Sequence, residues 1–147
     1  WMGGLVALAT ALAKSGFIAW IAKLIGTAVA AANMGWIASF VLISLIYIYS
    51  HYCFASVTAR ISAMYAAFVA VAAACGVPAM LVAITFGCFA NLPISLTHYG
   101  NGCGPVYFGA GYVSQGEWWR NGFIITTINV VIWLTIGMAW WKFIGLY

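Results

Sequence analysis

A short polar segment, from Ser50 to Arg60, separates two long apolar runs of the sequence. Residues 35–49 before it and residues 61–75 after it carry no charged side chain. Hydroxyl, imidazole and guanidinium groups placed between two hydrophobic helices need hydrogen-bonding partners. The segment is therefore the first candidate for a binding site.

Ser56 is a good helix N-cap, and a helix that begins at Val57 would leave the first amides unpaired. The amides of Val57, Thr58 and Ala59 would then point back toward the polar segment. Such a helix end attracts anions, and Arg60 could add a bidentate contact to a carboxylate. The alternative is a polar turn at the membrane surface that Ser56 only caps.

The composition defines the class of protein. Of 147 residues, 67% are hydrophobic and 4% are charged, which excludes a soluble globular domain. The formal net charge of +4 suits anionic substrates or lipid headgroups, but the five basic residues are too scattered for a nucleic-acid surface. We expect a multi-pass membrane protein in contact with lipid, with no nucleic-acid partner and no enzymatic activity.

Four cysteines, at positions 53, 75, 88 and 103, are the remaining candidate ligands. They contain no Cys-x-x-Cys pair, and no spacing joins them to His51 or His98 as a metal site. We therefore expect the cysteines to pack as small apolar residues in a helical bundle, and we expect no metal and no cofactor.

Continuous apolar runs predict helices and no sheet, since a membrane barrel would show alternation. The predicted helices are Trp1–Ala13, Phe17–Ala32, Trp36–Phe54, Ala59–Ala74, Ala79–Leu96, Val106–Tyr112 and Phe123–Trp141. The two helices beside the polar segment are two spans or one re-entrant hairpin, and hydropathy does not choose between them.

A second unusual stretch runs from Thr97 to Pro105 and contains three glycines and a proline. It cannot form a regular helix, and its apolar flanks are short. The economical interpretation is one membrane helix broken in its middle. Pro105 would take the first position of the downstream half, whose free amides would face the unwound segment. Unwound backbone at that depth lines a cavity. The alternative is an external glycine-rich loop.

A helix that begins at a polar segment and a helix that is interrupted together resemble the way secondary transporters build binding sites. In such sites the N-termini of half-helices bind anionic groups, and backbone carbonyls of the unwound segment bind a cation. The basic excess of the chain agrees with an anionic substrate.

Four segments also resemble the divalent anion/sodium symporter family, and within it the dicarboxylate exchangers of the 2-oxoglutarate/malate, citrate/succinate and tartrate/succinate types. The matching segments are His51 to Met64 (HYCFASVTARISAM), Asn91 to Phe108 (NLPISLTHYGNGCGPVYF), Gly109 to Trp119 (GAGYVSQGEWW) and Trp140 to Tyr147 (WWKFIGLY).

The resemblance implies two re-entrant hairpins related by an inverted repeat, each with a serine-asparagine-threonine motif at its tip. Ser56-Val57-Thr58 matches the second copy, with valine in place of the asparagine that offers an amide oxygen to sodium in sodium-coupled members. The broken helix matches Thr97 to Pro105, although Asn101, Cys103 and Gly104 differ from the threonine, proline and alanine of the exchangers. The resemblance implies substrate-binding residues that are Ser56, Val57, Thr58, Thr97 and Asn101. Arg60 joins this set because its guanidinium could bind a carboxylate.

The same resemblance implies an all-α fold that is the carboxy-terminal part of the second inverted repeat. Residues 1–33 would hold its leading helices, 34–78 the re-entrant hairpin, 79–113 the broken transmembrane helix, and 114–147 a polar turn and the last transmembrane helix. The chain would supply half of the binding site of a longer carrier that forms a homodimer in the bacterial inner membrane or the plastid envelope. Its predicted activity is antiport of di- or tricarboxylates.

Three alternatives remain open. The first is a sodium-coupled dicarboxylate symporter. The second is a haem-binding membrane anchor subunit with His51 and His98 as axial ligands, although both lie beside helix ends. The third is a structural membrane segment without a binding site.

Overall fold

The computed structural model describes residues 7, 11, 14–31 and 34–147, and these residues form helices and no strand. The α-helices are α1 (Phe17–Ala31), α2 (Trp36–Tyr49), α3 (Val57–Ala74), α4 (Ala79–Phe89), α5 (Gly104–Gly109), α6 (Gln115–Ile132) and α7 (Met138–Phe143). Short 3-10 helices cover Ser50–Cys53 and Leu92–Ser95, and a π-helix, Trp133–Gly137, joins α6 to α7. The predicted all-α class is confirmed. The first predicted helix, Trp1–Ala13, lies almost wholly outside the described residues.

Among the described residues, three segments are long and apolar enough to cross a membrane: Trp36–Cys53, Val57–Ala74 and Gln115–Phe143. Their lengths are 18, 18 and 29 residues, and about 20 apolar residues span a bilayer core. The arrangement of the first two as separate spans or as a re-entrant hairpin stays a prediction, as does the division at residues 33, 78 and 113.

The two long helices are joined by the polar segment. Helix α2 tightens into the 3-10 helix at Ser50–Cys53, and Phe54 and Ser56 then adopt extended backbone. Helix α3 begins at Val57, as predicted from the N-cap residue Ser56.

The end of α3 follows the glycine and proline of the sequence. The amide of Gly76 donates to Ala73 O at 3.0 Å, and the amide of Val77 donates to Ala72 O at 3.2 Å. These two bonds form a Schellman motif, which places Gly76 at φ +82°. Pro78 then caps α4.

Helix α4 ends at Phe89 and is therefore shorter than the predicted helix Ala79–Leu96. Pro93 lies four residues later and has no amide hydrogen for the carbonyl of Phe89. The chain continues as the 3-10 helix Leu92–Ser95. The prediction of one continuous helix up to Leu96 is therefore wrong.

The broken helix has a short second half. Helix α5 covers six residues, with Pro105 as its second residue rather than its first, and it stops before Gly111 at φ +77°. The predicted helix Val106–Tyr112 is therefore displaced toward the N-terminus.

Helix α6 begins at Gln115, eight residues before the predicted Phe123. The cause is a capping box, in which Ser114 Oγ accepts the amide of Glu117 and the carboxylate of Glu117 accepts the amide of Ser114. The Ser-x-x-Glu pattern was present in the sequence, so the polar turn ends sooner than predicted.

The core is built around aromatic side chains from α2, α3 and α4. Tyr47 stacks on Phe86 with ring centroids 4.7 Å apart and also contacts Phe68 at 5.7 Å. Phe40 and Phe89 also stack on Phe86, each with ring centroids 6.5 Å apart. This packing fixes the end of α2 against α3 and α4.

Helix α6 packs closely on the 3-10 helix at Leu92–Ser95 because Gly122 has no side chain. A Cβ atom on Gly122 would collide with the carbonyl oxygen of Ser95 and lie 3.1 Å from the Cα atom of Leu96. Tyr49 and Thr127 add a hydroxyl contact of 2.8 Å between α2 and α6.

Replacement of Gly122 with alanine is expected to destabilise the protein by about 1–3 kcal/mol, because backbone atoms on both sides must move. The matched control is Gly116→Ala in the same helix, where no described atom lies within 4 Å of the new Cβ. The midpoints of thermal unfolding of both purified variants provide the test. Equal midpoints would contradict the close contact between α6 and Ser95.

Candidate functional site

The start of α3 has the geometry of an anion-binding site, but it offers fewer free amides than predicted. Ser56 Oγ accepts the amide of Ala59 at 3.4 Å, so the third predicted free amide is already bonded. The amides of Val57 and Thr58 have no helical carbonyl one turn before them. These two amides are the groups that α3 offers to an anion.

The three residues of this motif differ in exposure. Ser56 is 7% exposed, Val57 is half-buried and Thr58 is exposed. Ser56 therefore shapes the turn as the cap of α3, whereas the Thr58 hydroxyl is open to a ligand. A carboxylate at this position could accept hydrogen bonds from Thr58 and from backbone amides.

Arg60 is fully buried one turn into α3, and its guanidinium is bonded to backbone. Nη1 donates to Tyr47 O at 2.8 Å, while Nη2 donates to Ala90 O at 2.6 Å and to Phe89 O at 3.3 Å. The guanidinium also lies over the ring of Tyr47, 4.6 Å from its centroid. Arg60 therefore joins the ends of α2 and α4 to the start of α3.

The local sequence explains this role of Arg60. The last carbonyls of a helix lack intrahelical donors, and Pro93 cannot provide one for Phe89. The guanidinium supplies that donor. Its Nε has no partner among the described residues. Direct contact between Arg60 and a substrate stays a prediction.

Asn101 holds the unwound segment by bonding to its backbone. Its Oδ1 accepts the amides of Cys103 at 2.8 Å and Gly104 at 2.6 Å, and its Nδ2 donates to Ile94 O at 3.2 Å. The amide of Gly104 is thus not free, contrary to the prediction that the start of the downstream half-helix faces the unwound segment unbonded. A contact of Asn101 with a substrate stays a prediction.

Thr97 and His51 meet at Gly100. A Cβ atom on Gly100 would collide with His51 Nε2 and lie 2.8 Å from Thr97 Oγ1. Both side chains are completely buried, and neither the imidazole nitrogens nor Thr97 Oγ1 has a partner among the described residues. The structure thereby brings Thr97 against the polar segment through His51.

Aromatic side chains add contacts to the junction at which the unwound segment meets the polar segment. Tyr99 Oη donates to the carbonyl of Tyr52 at 3.0 Å, which ties the unwound segment to the 3-10 helix. Trp119 Nε1 donates to His98 Nδ1 at 3.3 Å, and His98 stacks on Phe108 with centroids 4.3 Å apart. The start of α6 is therefore attached to the same junction.

The burial of His51 leaves neither of its ring nitrogens open to a haem iron, so the two histidines do not form a pair of available axial ligands. His51 is enclosed against Gly100, and His98 is engaged by Trp119 and Phe108. No group of three potential metal ligands from histidine, cysteine and acidic residues occurs among the described positions. The role of His51 in joining the two polar segments was missed from the sequence, although Gly100 in the unwound stretch was a signal of a close approach.

The family profile described as "Sodium:sulfate symporter transmembrane region" matches residues 1–147. The chain belongs to that family. Dicarboxylate transporter 1, chloroplastic, of Spinacia oleracea is 45% identical over the whole chain, and its Arabidopsis thaliana counterpart is 43% identical. The putative malate transporter YflS of Bacillus subtilis (strain 168) is also 45% identical over the whole chain.

The match covers all of this chain but 26% of each chloroplast transporter and 30% of the Bacillus protein. The chain therefore spans between a quarter and a third of the length of these relatives. The resemblance in the four quoted segments is confirmed at the level of the family, whose members are transporters and not enzymes. The described part of the chain holds three helices long enough to span a bilayer, and the chain is an integral membrane protein.

Proposed function

We propose that this chain supplies half of the binding site of a carrier that exchanges dicarboxylates across a membrane, of the 2-oxoglutarate/malate or succinate type. The observation that supports this function best is the start of α3. Ser56 caps the helix there, and the exposed Thr58 lies beside two amides without helical acceptors. The names of the chloroplast and Bacillus relatives support a dicarboxylate as substrate.

The proposed contact is between one substrate carboxylate and the Ser56-Val57-Thr58 motif. The hydroxyl of Thr58 and the two amides donate, and the positive end of the α3 dipole favours the negative charge. We propose that Asn101 lies on the facing side of the site, because the unwound segment packs on the 3-10 helix that precedes the motif. Thr97 is completely buried, so its proposed role is to support that segment from behind Gly100.

Antiport is the proposed mode because Val57 offers no side-chain oxygen to a cation. Sodium is a hard cation that oxygen ligands coordinate, and backbone carbonyls alone would have to complete its shell at this motif. The remaining part of the carrier supplies the second half of the site, and the carrier is proposed to be a homodimer in the bacterial inner membrane or plastid envelope.

Counterflow in proteoliposomes tests the proposed function. The purified carrier that contains this chain is reconstituted with unlabelled malate inside, and uptake of labelled malate, 2-oxoglutarate, succinate and citrate is compared with that of sulfate. We expect rapid uptake of the dicarboxylates that depends on internal malate. Uptake of sulfate alone, or no dependence on internal malate, would contradict dicarboxylate exchange.

A further inference from the structure

A groove lined by small side chains lies between α1 and α3. The two helices pack closely at Gly26, where a Cβ atom would lie 3.1 Å from Cγ1 of Val71. Beside this contact is a cavity of about 470 Å³, within the range of roughly 300–1,000 Å³ that is usual for ligand pockets. Its walls include the small residues Ala19, Ala22, Gly26, Ala67, Ala70 and Ala74. The groove is therefore apolar and large enough to hold a ligand.

Lys23 is the one charged side chain among the described residues that line this groove. It is exposed, and it also borders a second cavity, of about 240 Å³, together with Trp20, Leu24 and Thr27. The hydroxyl of Thr27 already donates to the carbonyl of Leu24 at 2.9 Å. The ammonium of Lys23 is therefore the group that the groove offers to an anion.

The chain offers Lys23 no carboxylate side chain. Its sequence contains one acidic residue, Glu117, which lies in the first turn of α6. The carboxylate of Glu117 accepts hydrogen bonds from the amide and the hydroxyl of Ser114. An acidic partner for Lys23 must therefore come from outside this chain.

Two kinds of occupant suit a groove of small residues in a membrane protein, namely a lipid or a helix from the remaining part of the carrier. A helix would cover Lys23 and would itself have to bring an acidic residue into the membrane, which is costly. An anionic phospholipid combines acyl chains with a negative charge, and basic residues attract such lipids. Exposed Trp20 adds an aromatic side chain of the kind found at the level of the headgroups. Charge complementarity therefore favours the lipid.

We propose that the groove between α1 and α3 binds one anionic phospholipid, with an acyl chain along the alanine walls and the phosphate at Lys23. This site goes beyond the proposed function and does not depend on it. None of the described residues that line the groove belongs to the Ser56-Val57-Thr58 motif or to the unwound segment. The two sites share α3, which carries the motif at its start and the groove along its second half. A lipid in the groove would hold α1 against the helix that presents the motif.

Photo-crosslinking with a synthetic lipid tests this site. The complete carrier that contains this chain is reconstituted with phosphatidylglycerol that bears a diazirine in one acyl chain, and the labelled peptides are mapped by mass spectrometry. Unlabelled phosphatidylglycerol or phosphatidylcholine with the same acyl chains is the competitor. One lysine contributes roughly five-fold to the affinity for an anionic lipid. We expect labelling within residues 19–27 and 67–75, with phosphatidylglycerol the stronger competitor by that factor.

Lys23→Gln removes the charge and keeps a polar side chain at the groove. It should make the two competitors equally effective, while the groove is still labelled. Lys142→Gln is the matched control, because Lys142 is exposed in α7 and does not line the groove. That variant should keep the preference of the wild type. Retention of the preference in folded Lys23→Gln would overturn the proposal.

A second pair of variants tests the groove without a change of charge. Ala70→Leu places a larger side chain on the wall and should reduce labelling of the groove. Ala66→Leu, one turn earlier in α3, is the control, because Ala66 is exposed and does not line the groove. Equal labelling in the two variants would overturn the proposal, even if Lys23→Gln does not fold.

The wild-type carrier alone provides two further outcomes that would overturn the proposal. Absence of labelling in the groove would show that a helix from the remaining part of the carrier covers it. Equal competition by the two phospholipids would show a lipid-facing surface that does not select for charge.

Discussion

Replacement of Thr58 with valine is expected to raise the dissociation constant for succinate by roughly ten-fold or more. Thr58 is exposed at the second position of α3, where its hydroxyl can donate to a carboxylate. A hydrogen bond to a charged group is worth about 1.5–3 kcal/mol, and valine keeps the shape of the side chain without the hydroxyl. Calorimetric titration of the complete carrier measures the change.

Thr135→Val is the matched control for this experiment. Thr135 is exposed, and its hydroxyl donates to the carbonyl of Val131 in its own helix at 2.6 Å. Ser56→Ala is a poorer probe, because loss of the cap costs about 1 kcal/mol of stability in addition to any loss of binding. Unchanged affinity for succinate in folded Thr58→Val would show that this hydroxyl does not bind the substrate.

Exchange of dicarboxylates is expected to continue at the same rate when sodium is replaced with potassium or choline. Val57 stands where the resemblance places an asparagine with an amide oxygen, and valine has no oxygen to offer a cation. Counterflow of malate against 2-oxoglutarate in the three salts is the measurement. A collapse of the rate without sodium would favour the sodium-coupled symporter, with its cation held in the other half of the carrier.

The start of α3 and its termination could be predicted because their signals are local. Ser56 before an apolar run, and Gly76 followed by Pro78, act through caps and backbone conformation within a few residues. The start of α6 carried an equally local signal in Ser114 and Glu117, which the hydropathy of the following segment obscured.

The use of Arg60 could not be predicted from the sequence, because its partners are set by the tertiary fold. The carbonyls that Arg60 binds lie 13, 29 and 30 residues away in the chain. Asn101 was expected to face a ligand, but its side chain forms a local turn with Cys103 and Gly104. Polar type and position near a motif did not distinguish a ligand contact from a structural one.

The early end of α4 illustrates how a local and a distant effect combine. Pro93 leaves the carbonyl of Phe89 without its helical donor, which the sequence alone reveals. Arg60 then satisfies that carbonyl from another helix, which only the fold reveals. The same interaction joins the end of α4 to the start of α3.

Binding of one substrate carboxylate at the start of α3 is reported most directly by the amide resonance of Thr58. The complete carrier, labelled with ¹⁵N-threonine, is titrated with succinate, and Thr58 is assigned by its absence in Thr58→Val. We predict a saturable shift of the Thr58 amide, while the amide of Thr135 stays in place. Saturable succinate binding with no change at Thr58 would contradict binding of a carboxylate at the start of α3.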